Sequence, residues 1–441
     1  MRKVFPRSDT AKSICDAQRV LPEERYRLTT DCVQVPCEDG TLYYHTLTGE
    51  LLLLEPNEQI GDNREELIRS RFLVPESHIE LQYTLQVRRI LTLLHTRKRA
   101  VTNFTILPTT DCNARCFYCY EQNSRRITMS ETTALDTADY IATACAGEDV
   151  SICWFGGEPL YNISAIDLIA EHLIERGVTF TSQIVTNAYL FDEDTVERAV
   201  AKWHLKKAQI TLDGTKERYQ RTKAYIYHDD NAYERVLDNI DCLLRHGVRV
   251  TVRLNLNRKN SDDLLLLCDE LAARFSGKEG LTVYPHLLKE FAGKVDAFED
   301  EAEAAEMMLK LKDKLKNNSF LFTTPLVRDI AFQRCMADSD KCEVIMPDGS
   351  VGKCEHFSES EFIGTIYSPR RDKALIQSWK EQILYPECNG CPLAPRCIEL
   401  KKCAWAKDGC SKRVRRLRLE KLCRQIAAAY HLQKGKTECS E

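Results

Sequence analysis

The chain has 441 residues, room for two or three domains each with its own apolar core, and at 43% apolar and 29% charged it has the balance of a globular protein rather than a disordered one. A formal net charge of −4 gives no electrostatic reason for a nucleic-acid partner, and no uninterrupted apolar run is long enough to span a bilayer, so the expectation is a soluble, cytoplasmic protein with neither nucleic acid nor membrane as partner. Twenty cysteines behind a start, MRKVFPRSDTAKS, that has no signal-like apolar core suggest metal or redox chemistry rather than disulfides, and half of them lie from Cys335 to Cys439.

Residues 1–100 carry no metal-ligand spacing. The run VQVPCEDGTLYYHTLTGELLLLEP reads as two or three short strands with turns at Glu38-Asp39-Gly40 and Thr48-Gly49. NREELIRSRFLVPE and a segment around Leu85 to Leu94 then show helical spacing. Cys15, Cys32 and Cys37 read as buried thiols.

Across residues 101–300, strand-like segments at NFTIL, VSICWF, TFTSQIV, AQITLD, RVTVRLNL and LTVYPHLL alternate with amphipathic helical ones. Strand-then-helix repeats imply a parallel α/β sheet, which right-handed crossovers curl into an open barrel with its chemistry on the loops after the strands. The loop after the first strand is DCNARCFYCYE, with Cys112, Cys116 and Cys119 as C-x3-C-x2-C. Three thiolates with no fourth beside them leave one iron of a cubane cluster open to a substrate, and the alternatives are a zinc site or unligated core thiols. Tyr118 precedes the third cysteine, where its ring can lie on a flat heterocycle. After the second strand comes Gly156-Gly157-Glu158-Pro159, whose glycines allow close backbone approach and whose carboxylate can hold an ammonium group. Thr186-Asn187 follows the third strand, Asp213-Gly214 and then Arg221 the fourth, and Arg253 and Asn255 stand near the end of the fifth. Tyr284, His286 and Glu290, by the sixth, are candidate catalytic groups, with a structural role as the alternative.

A charged Ala- and Lys-rich helix from about Asp300 to Lys316 is expected to link the barrel, across residues 301–330, to a cysteine-dense region at 331–441. There Cys335, Cys342 and Cys354 come first, with Gly349 and Cys354 as G-x4-C. CNGCPLAPRC sets Cys388, Cys391 and Cys397 as C-x2-C-x5-C, and Cys403, Cys410 and Cys423 follow, with Cys439 free in a polar tail. A zinc knuckle needs a second pair at knuckle spacing, which is absent. The basic run containing KRVRRLR reads as a solvated helix face, as cations offsetting anionic clusters, or as a nucleic-acid contact.

The pattern C-x3-C-x-aromatic-C resembles that of the radical S-adenosylmethionine (radical SAM) superfamily. The resemblance implies a partial (β/α)6 TIM-like barrel. In it a 4Fe-4S cluster on Cys112, Cys116 and Cys119 takes S-adenosyl-L-methionine on its open iron, and reductive cleavage gives a 5'-deoxyadenosyl radical. It further implies that Gly156, Gly157 and Glu158 meet the methionine amino group and that Tyr118 lies by the adenine. Asn187 falls near the ribose, although the usual TNG here reads Thr186-Asn187-Ala188, and Arg221 is either the carboxylate partner or a surface arginine.

The C-terminal array resembles the SPASM extension, which implies two auxiliary 4Fe-4S clusters. Cys335, Cys342, Cys354 and Cys403 would hold the first, with Lys401 standing where the pattern has its cysteine. Cys388, Cys391, Cys397 and Cys423 would hold the second, with Cys410 competing for the last place. Residues 1–100 resemble a small winged-helix-like α+β leader-recognition domain, which would bind a leader by strand addition; a plain structural cap is the alternative. These resemblances imply a maturase of a ribosomally made precursor peptide with a leader segment, installing a thioether or carbon-carbon crosslink and reduced by an electron donor such as flavodoxin or ferredoxin. An anaerobic sulfatase-type maturase that makes formylglycine, and a non-catalytic iron-sulfur or zinc scaffold, are the other readings.

Overall fold

The computed structural model describes residues 1–15, 25–95, 100–122, 125–288, 295–320, 326–356, 361–403 and 410–438. Glu290 and Cys439 lie outside them. The chain divides into two units, one made of Met1–Lys98, Thr323–Asp338 and Ser378–Glu441, the other of Arg99–Phe322 and Ser339–Gln377.

The first unit opens with β1 (Arg2–Phe5), α1 (Asp9–Ile14), β2 (Tyr26–Leu28), β3 (Cys32–Cys37), β4 (Gly40–His45), β5 (Leu51–Leu54), α2 (Arg64–Arg69), β6 (Leu73–Pro75) and α3 (Glu80–His95). Strands β1, β5, β4 and β3 form an antiparallel sheet in that order, and β2 pairs with β6. Side-chain alternation puts Val33, Val35, Leu42 and Tyr44 on one face, where they meet Leu422, Ile426 and Tyr430 of the C-terminal helix. Those three residues, four apart, form one helical stripe. Residues 1–100 are therefore not separate from the cysteine-rich end: the two ends of the chain share a core, a long-range pairing that local periodicity does not encode.

In the second unit β7 (Asn103–Ile106), β8 (Val150–Trp154), β9 (Phe180–Thr186), β10 (Leu205–Leu212), β11 (Arg249–Leu256) and β12 (Leu281–Leu287) lie side by side in chain order, all parallel. Helices α4 (Glu131–Ala144), α5 (Ile163–Glu175), α6 (Glu193–Ala201), α7 (Lys216–Lys223), α8 (Ala232–Arg245) and α9 (Ser261–Phe275) fill the crossovers. Alternate strand residues, among them Ile152, Trp154, Ile210, Val252 and Val283, pack into one apolar core with the helices. The opposite face carries Cys153 beside Gln183, and Thr211, Arg253 and Tyr284 in one row. The period of two along each strand thus separates a dry layer from a polar concave one.

Helix α10 (Glu301–Asn317) does not act as the expected connector. Its Leu311 and Leu315 are fully buried in the barrel core, because apolar residues four apart beneath a charged exterior make a packing face. Beyond β7 the sheet continues through β13 (Cys342–Ile345), parallel to β7, and the antiparallel β14 (Ser350–Gly352) and β15 (Gly364–Thr365). Among the described residues the sheet therefore has nine strands, the six expected of the barrel and three more. Helices α11 (Lys373–Trp379) and α12 (Lys412–Glu438) complete the chain.

Candidate active site

The cysteine loop leaves β7 and is fixed by main-chain bonds to the loop after β8 and to the end of α7. Asp111 O accepts from Glu158 N (2.9 Å), Thr109 O from Gly157 N (3.2 Å), Lys223 O from Arg115 N (2.8 Å), and Asn113 O from Ile226 N (2.9 Å). The two glycines after β8 are required by this packing: a Cβ on Gly156 would stand 2.3 Å from Thr109 O, and one on Gly157 2.2 Å from Asp111 O. Sequence reasoning assigned their small size to ligand approach, whereas in the structure it seats the cysteine loop.

Burial pushes the Cys112 thiol up to about 12 and that of Cys119 to about 11, with the neighbouring thiols adding to both, and Cys116 is raised in the same way. A single tetrahedral ion with metal–sulfur bonds of about 2.3 Å draws its thiolates to about 3.8 Å from one another. Among the described residues, the group of three His, Cys, Asp or Glu ligand atoms gathered within 4.8 Å lies elsewhere. A cubane, in which each thiolate takes a different iron, spaces its ligands more widely and fits this trio better than zinc does.

Under the loop lies a polar hub that the sequence signalled only in part. Lys223, on the last turn of α7, is buried and pairs with Asp213 (2.9 Å), both side chains being at most 2% exposed. Its Nζ also donates to Thr211 Oγ1 (2.6 Å) and to the Tyr118 hydroxyl (3.3 Å), while Asn255 Nδ2 donates to that hydroxyl and to Asp213 Oδ1 (3.0 Å each). Burial alone lowers an ammonium, but Asp213 and the groups around it outweigh it and hold Lys223 above the lysine range. Burial raises the Tyr118 phenol, so it stays neutral. Arg221 is exposed and, among the described residues, bonds only to its own helix, at Glu217 O. The buried cation of the site is Lys223. Its signal was helical: 40° around α7 from the buried Tyr219, whereas Arg221 is on the opposite side at about 160° from that ring.

Glu158 is buried and accepts from Thr186 Oγ1 (2.7 Å), Asn187 N (2.8 Å) and Leu160 N (3.2 Å), and burial pushes its carboxyl up to about 7. It ties the loop after β8 to the end of β9. Asn187 in turn donates from Nδ2 to Asn113 Oδ1 (2.7 Å), so the cysteine loop, Glu158 and Asn187 form one braced unit. Ala188, where a glycine is usual, has a left-handed φ of 62°. Asn239 of α8 holds that turn through Ala188 O and Phe191 O (2.8 Å each).

On the concave face the Tyr284 hydroxyl donates to Gln209 Oε1 (3.2 Å), and His286 stands opposite Asn255 in the β11–β12 register. Arg253, adjacent to Tyr284, has a buried Nε without a hydrogen-bond partner among the described residues. His356, just after Cys354, lies edge-on to Tyr120, just after Cys119, at 4.2 Å between ring centroids. No motif marked this aromatic contact.

Of the C-terminal cysteines, Cys342 begins β13 and Cys354 follows β14 in the second unit, whereas Cys335 and Cys403 belong to the first. Cys388, Cys391, Cys397 and Cys410 line a single cleft in the first unit, together with Arg88, Arg415 and Arg418. Cys423 is turned away, packed against the Val33–Tyr44 sheet face with Leu419 and Ala427. Cys423, favoured over Cys410 on spacing, lies on the apolar stripe of α12, about 140° around the helix from Arg418, whereas Cys410 lines the cleft. Arg418 donates to Cys397 Sγ (3.3 Å) and pairs with Glu399 (2.8 Å), so part of the basic run faces the cysteines. Arg88 donates to Ala331 O (3.0 Å), Ala394 O (2.8 Å) and Cys397 O (3.0 Å), clamping the cysteine segment to α3.

Residues 106–271 match the family model of the radical SAM superfamily. No curated protein matches the chain in sequence. Among solved structures, the fold is similar to that of native anSMEcpe with bound AdoMet and Cp18Cys peptide, at a TM-score of 0.51 and 15% identity, covering 76% of this chain and 99% of that one. It is also similar to SuiB of Streptococcus suis bound to precursor peptide SuiA, at a TM-score of 0.53 and 14% identity, covering 85% of this chain and 94% of that one.

Proposed function

We propose, from the match of residues 106–271 to the radical SAM family model, that the chain is a peptide maturase that removes a hydrogen atom from a ribosomally made precursor and installs a thioether or carbon-carbon crosslink. The observation that carries this reading is the cysteine loop braced to Glu158, Asn187 and the Lys223 hub, in a chain with a second set of four cysteines around one cleft.

Cys112, Cys116 and Cys119 would hold a 4Fe-4S cluster, which with S-adenosyl-L-methionine and an electron donor such as flavodoxin or ferredoxin would supply a 5'-deoxyadenosyl radical. The protein's own residues bind and aim. Lys223 provides the cation for the methionine carboxylate, the part that sequence reasoning offered to Arg221. Glu158, raised by burial, returns to its charged form when an ammonium group arrives beside it. Lys223 and Asn255 pin the Tyr118 hydroxyl and so fix its ring against the adenine. Tyr284, His286 and Arg253 face the substrate from the concave side. Cys388, Cys391, Cys397 and Cys410 hold one of two auxiliary clusters, with Arg415 and Arg418 offsetting its charge.

The SuiB likeness supports the precursor-peptide reading because it extends over more of this chain than the anSMEcpe likeness does. Formylglycine formation on a cysteine or serine is kept as the second reading because the chain covers nearly all of anSMEcpe, which is bound to a Cys peptide.

The test is anaerobic reconstitution with iron and sulfide, reduction by dithionite, and a search for 5'-deoxyadenosine from S-adenosyl-L-methionine. No product from a cluster-replete enzyme overturns the reading. Incubation with the short peptide encoded beside the gene then separates the two products. Loss of two hydrogens with a new bond joining two residues, located by tandem mass spectrometry, is the crosslink; an aldehyde on a single residue, captured by a hydrazide, is formylglycine, with sulfur also lost where that residue was a cysteine.

A further inference from the structure

Away from the barrel mouth, two neighbouring helices present a second set of metal-ligating side chains. Glu193 opens α6 behind its cap Asp192, and Glu197 follows one turn later. Cys242 and His246 are likewise four apart, at the end of α8, so each helix shows its pair on one side. Cys242 Sγ is 3.3 Å from Glu193 Oε2, and His246 Nε2 is 3.3 Å from Glu193 Oε1 and 4.0 Å from Glu197 Oε1. One ligand atom from each of Glu193, Cys242 and His246 lies within 4.8 Å of the others.

We propose that Glu193, Cys242 and His246, with Glu197 as the fourth ligand, form a structural zinc site that staples α6 to α8. Tetrahedral zinc with bonds of about 2.3 Å to sulfur and about 2.0 Å to nitrogen and oxygen has ligand-to-ligand edges of about 3.3–3.5 Å. Cys242 meets Glu193 at Oε2 and His246 meets it at Oε1, each at 3.3 Å, so a turn of that exposed carboxylate presents one oxygen to both, and closing the 4.0 Å gap to Glu197 takes a rotamer adjustment of an exposed side chain. The imidazole is also oriented for the task. His246 Nδ1 lies 2.9 Å from the Cys242 carbonyl, a contact that places the proton on Nδ1 and leaves the Nε2 lone pair toward the glutamates.

The neighbours are compatible. Arg245 donates to both oxygens of Glu193 (Nη1 to Oε1, 3.3 Å; Nη2 to Oε2, 2.9 Å) and lies 3.7 Å from Asp241, so a metal on Glu193 replaces one of the two arginine bonds. A carboxylate can keep an arginine on one oxygen while the other takes the metal, and Asp241 gives the guanidinium a second partner. Four protein ligands leave no open position, so the site stabilises and does not catalyse. Its place has a consequence for the barrel: α8 also carries Asn239, which holds the turn after Asn187.

The test uses the anaerobically reconstituted holoenzyme, given one equivalent of zinc chloride and then desalted. About one zinc per chain is retained, and its X-ray absorption fine structure shows a single sulfur at about 2.3 Å among nitrogen and oxygen neighbours at about 2.0 Å. His246→Ala and Cys242→Ser each weaken zinc binding at least about tenfold, while iron content and 5'-deoxyadenosine formation stay at the parent level. His246 is only half-buried, so its variant keeps the fold if the Cys242 variant does not. Zinc lost from the parent on desalting, zinc held equally by both variants, or a sulfur-rich shell that places the metal among the cluster cysteines each overturns the proposal.

Discussion

At the scale of single residues, the cation proposed for the cofactor carboxylate is the buried Lys223 rather than Arg221. Lys223 and Asp213 are taken out of water together, and a buried pair that loses one partner costs about 3–5 kcal/mol because the other charge is stranded. Lys223→Gln is expected to lower 5'-deoxyadenosine formation by about 100-fold or more, with a rise in KM for S-adenosyl-L-methionine. Arg221→Ala should leave both within about twofold, as befits an exposed side chain bonded, among the described residues, only to its own helix. Equal losses in the two variants, measured by product formation at varied cofactor concentration, would return the role to Arg221. Ala188 offers a second test. Its φ of 62° costs an L-residue with a Cβ about 1–2 kcal/mol, part of which is recovered from the bonds around it. Ala188→Gly should therefore stabilise the turn after β9 by about 0.5–1 kcal/mol, read as slower amide exchange at Tyr189, whose N–H donates to Asn187 Oδ1.

At the scale of elements, α3 does more than pack Val87 and Leu91 against Ala11 and Leu47. The Arg88 fork reaches three carbonyls, two of them in the cysteine segment between Ala394 and Cys397, and no other residue type has the planar donors to satisfy them together. Arg88→Met should strand those acceptors and lower the iron content by about four per chain, and Arg88→Lys should recover only part of it, both checked by iron assay after reconstitution. Element by element, the barrel was readable from the sequence because each strand is a short β-rich run ending in a polar or glycine motif, and all six expected strands are present. The cysteine trio was readable from spacing alone. What stayed hidden follows from helical phase and from distance along the chain. Cys423 and Lys223 each sit on a buried helical face, which a count of intervening residues does not reveal. The union of β3 and β4 with Leu422, Ile426 and Tyr430 joins residues nearly four hundred positions apart, and β13 is too short to stand out between its cysteines.

At the scale of the whole molecule, the two sets of cysteines are held by different means. The barrel-mouth loop is fixed by main-chain bonds to Glu158, Lys223 and Ile226, and the C-terminal cleft by arginine side chains from α3 and α12. Neither set of supports includes a thiol of the other. Replacing Cys112, Cys116 and Cys119 together by alanine should therefore abolish 5'-deoxyadenosine while the auxiliary clusters assemble normally, leaving roughly eight irons per chain out of about twelve. Iron analysis and the visible absorbance of the reconstituted variant give the answer. A residue of about eight irons with no product assigns cofactor cleavage to the barrel mouth. Loss of all the iron would mean that the clusters assemble as one cooperative system, and retention of product would remove the open iron from the mechanism.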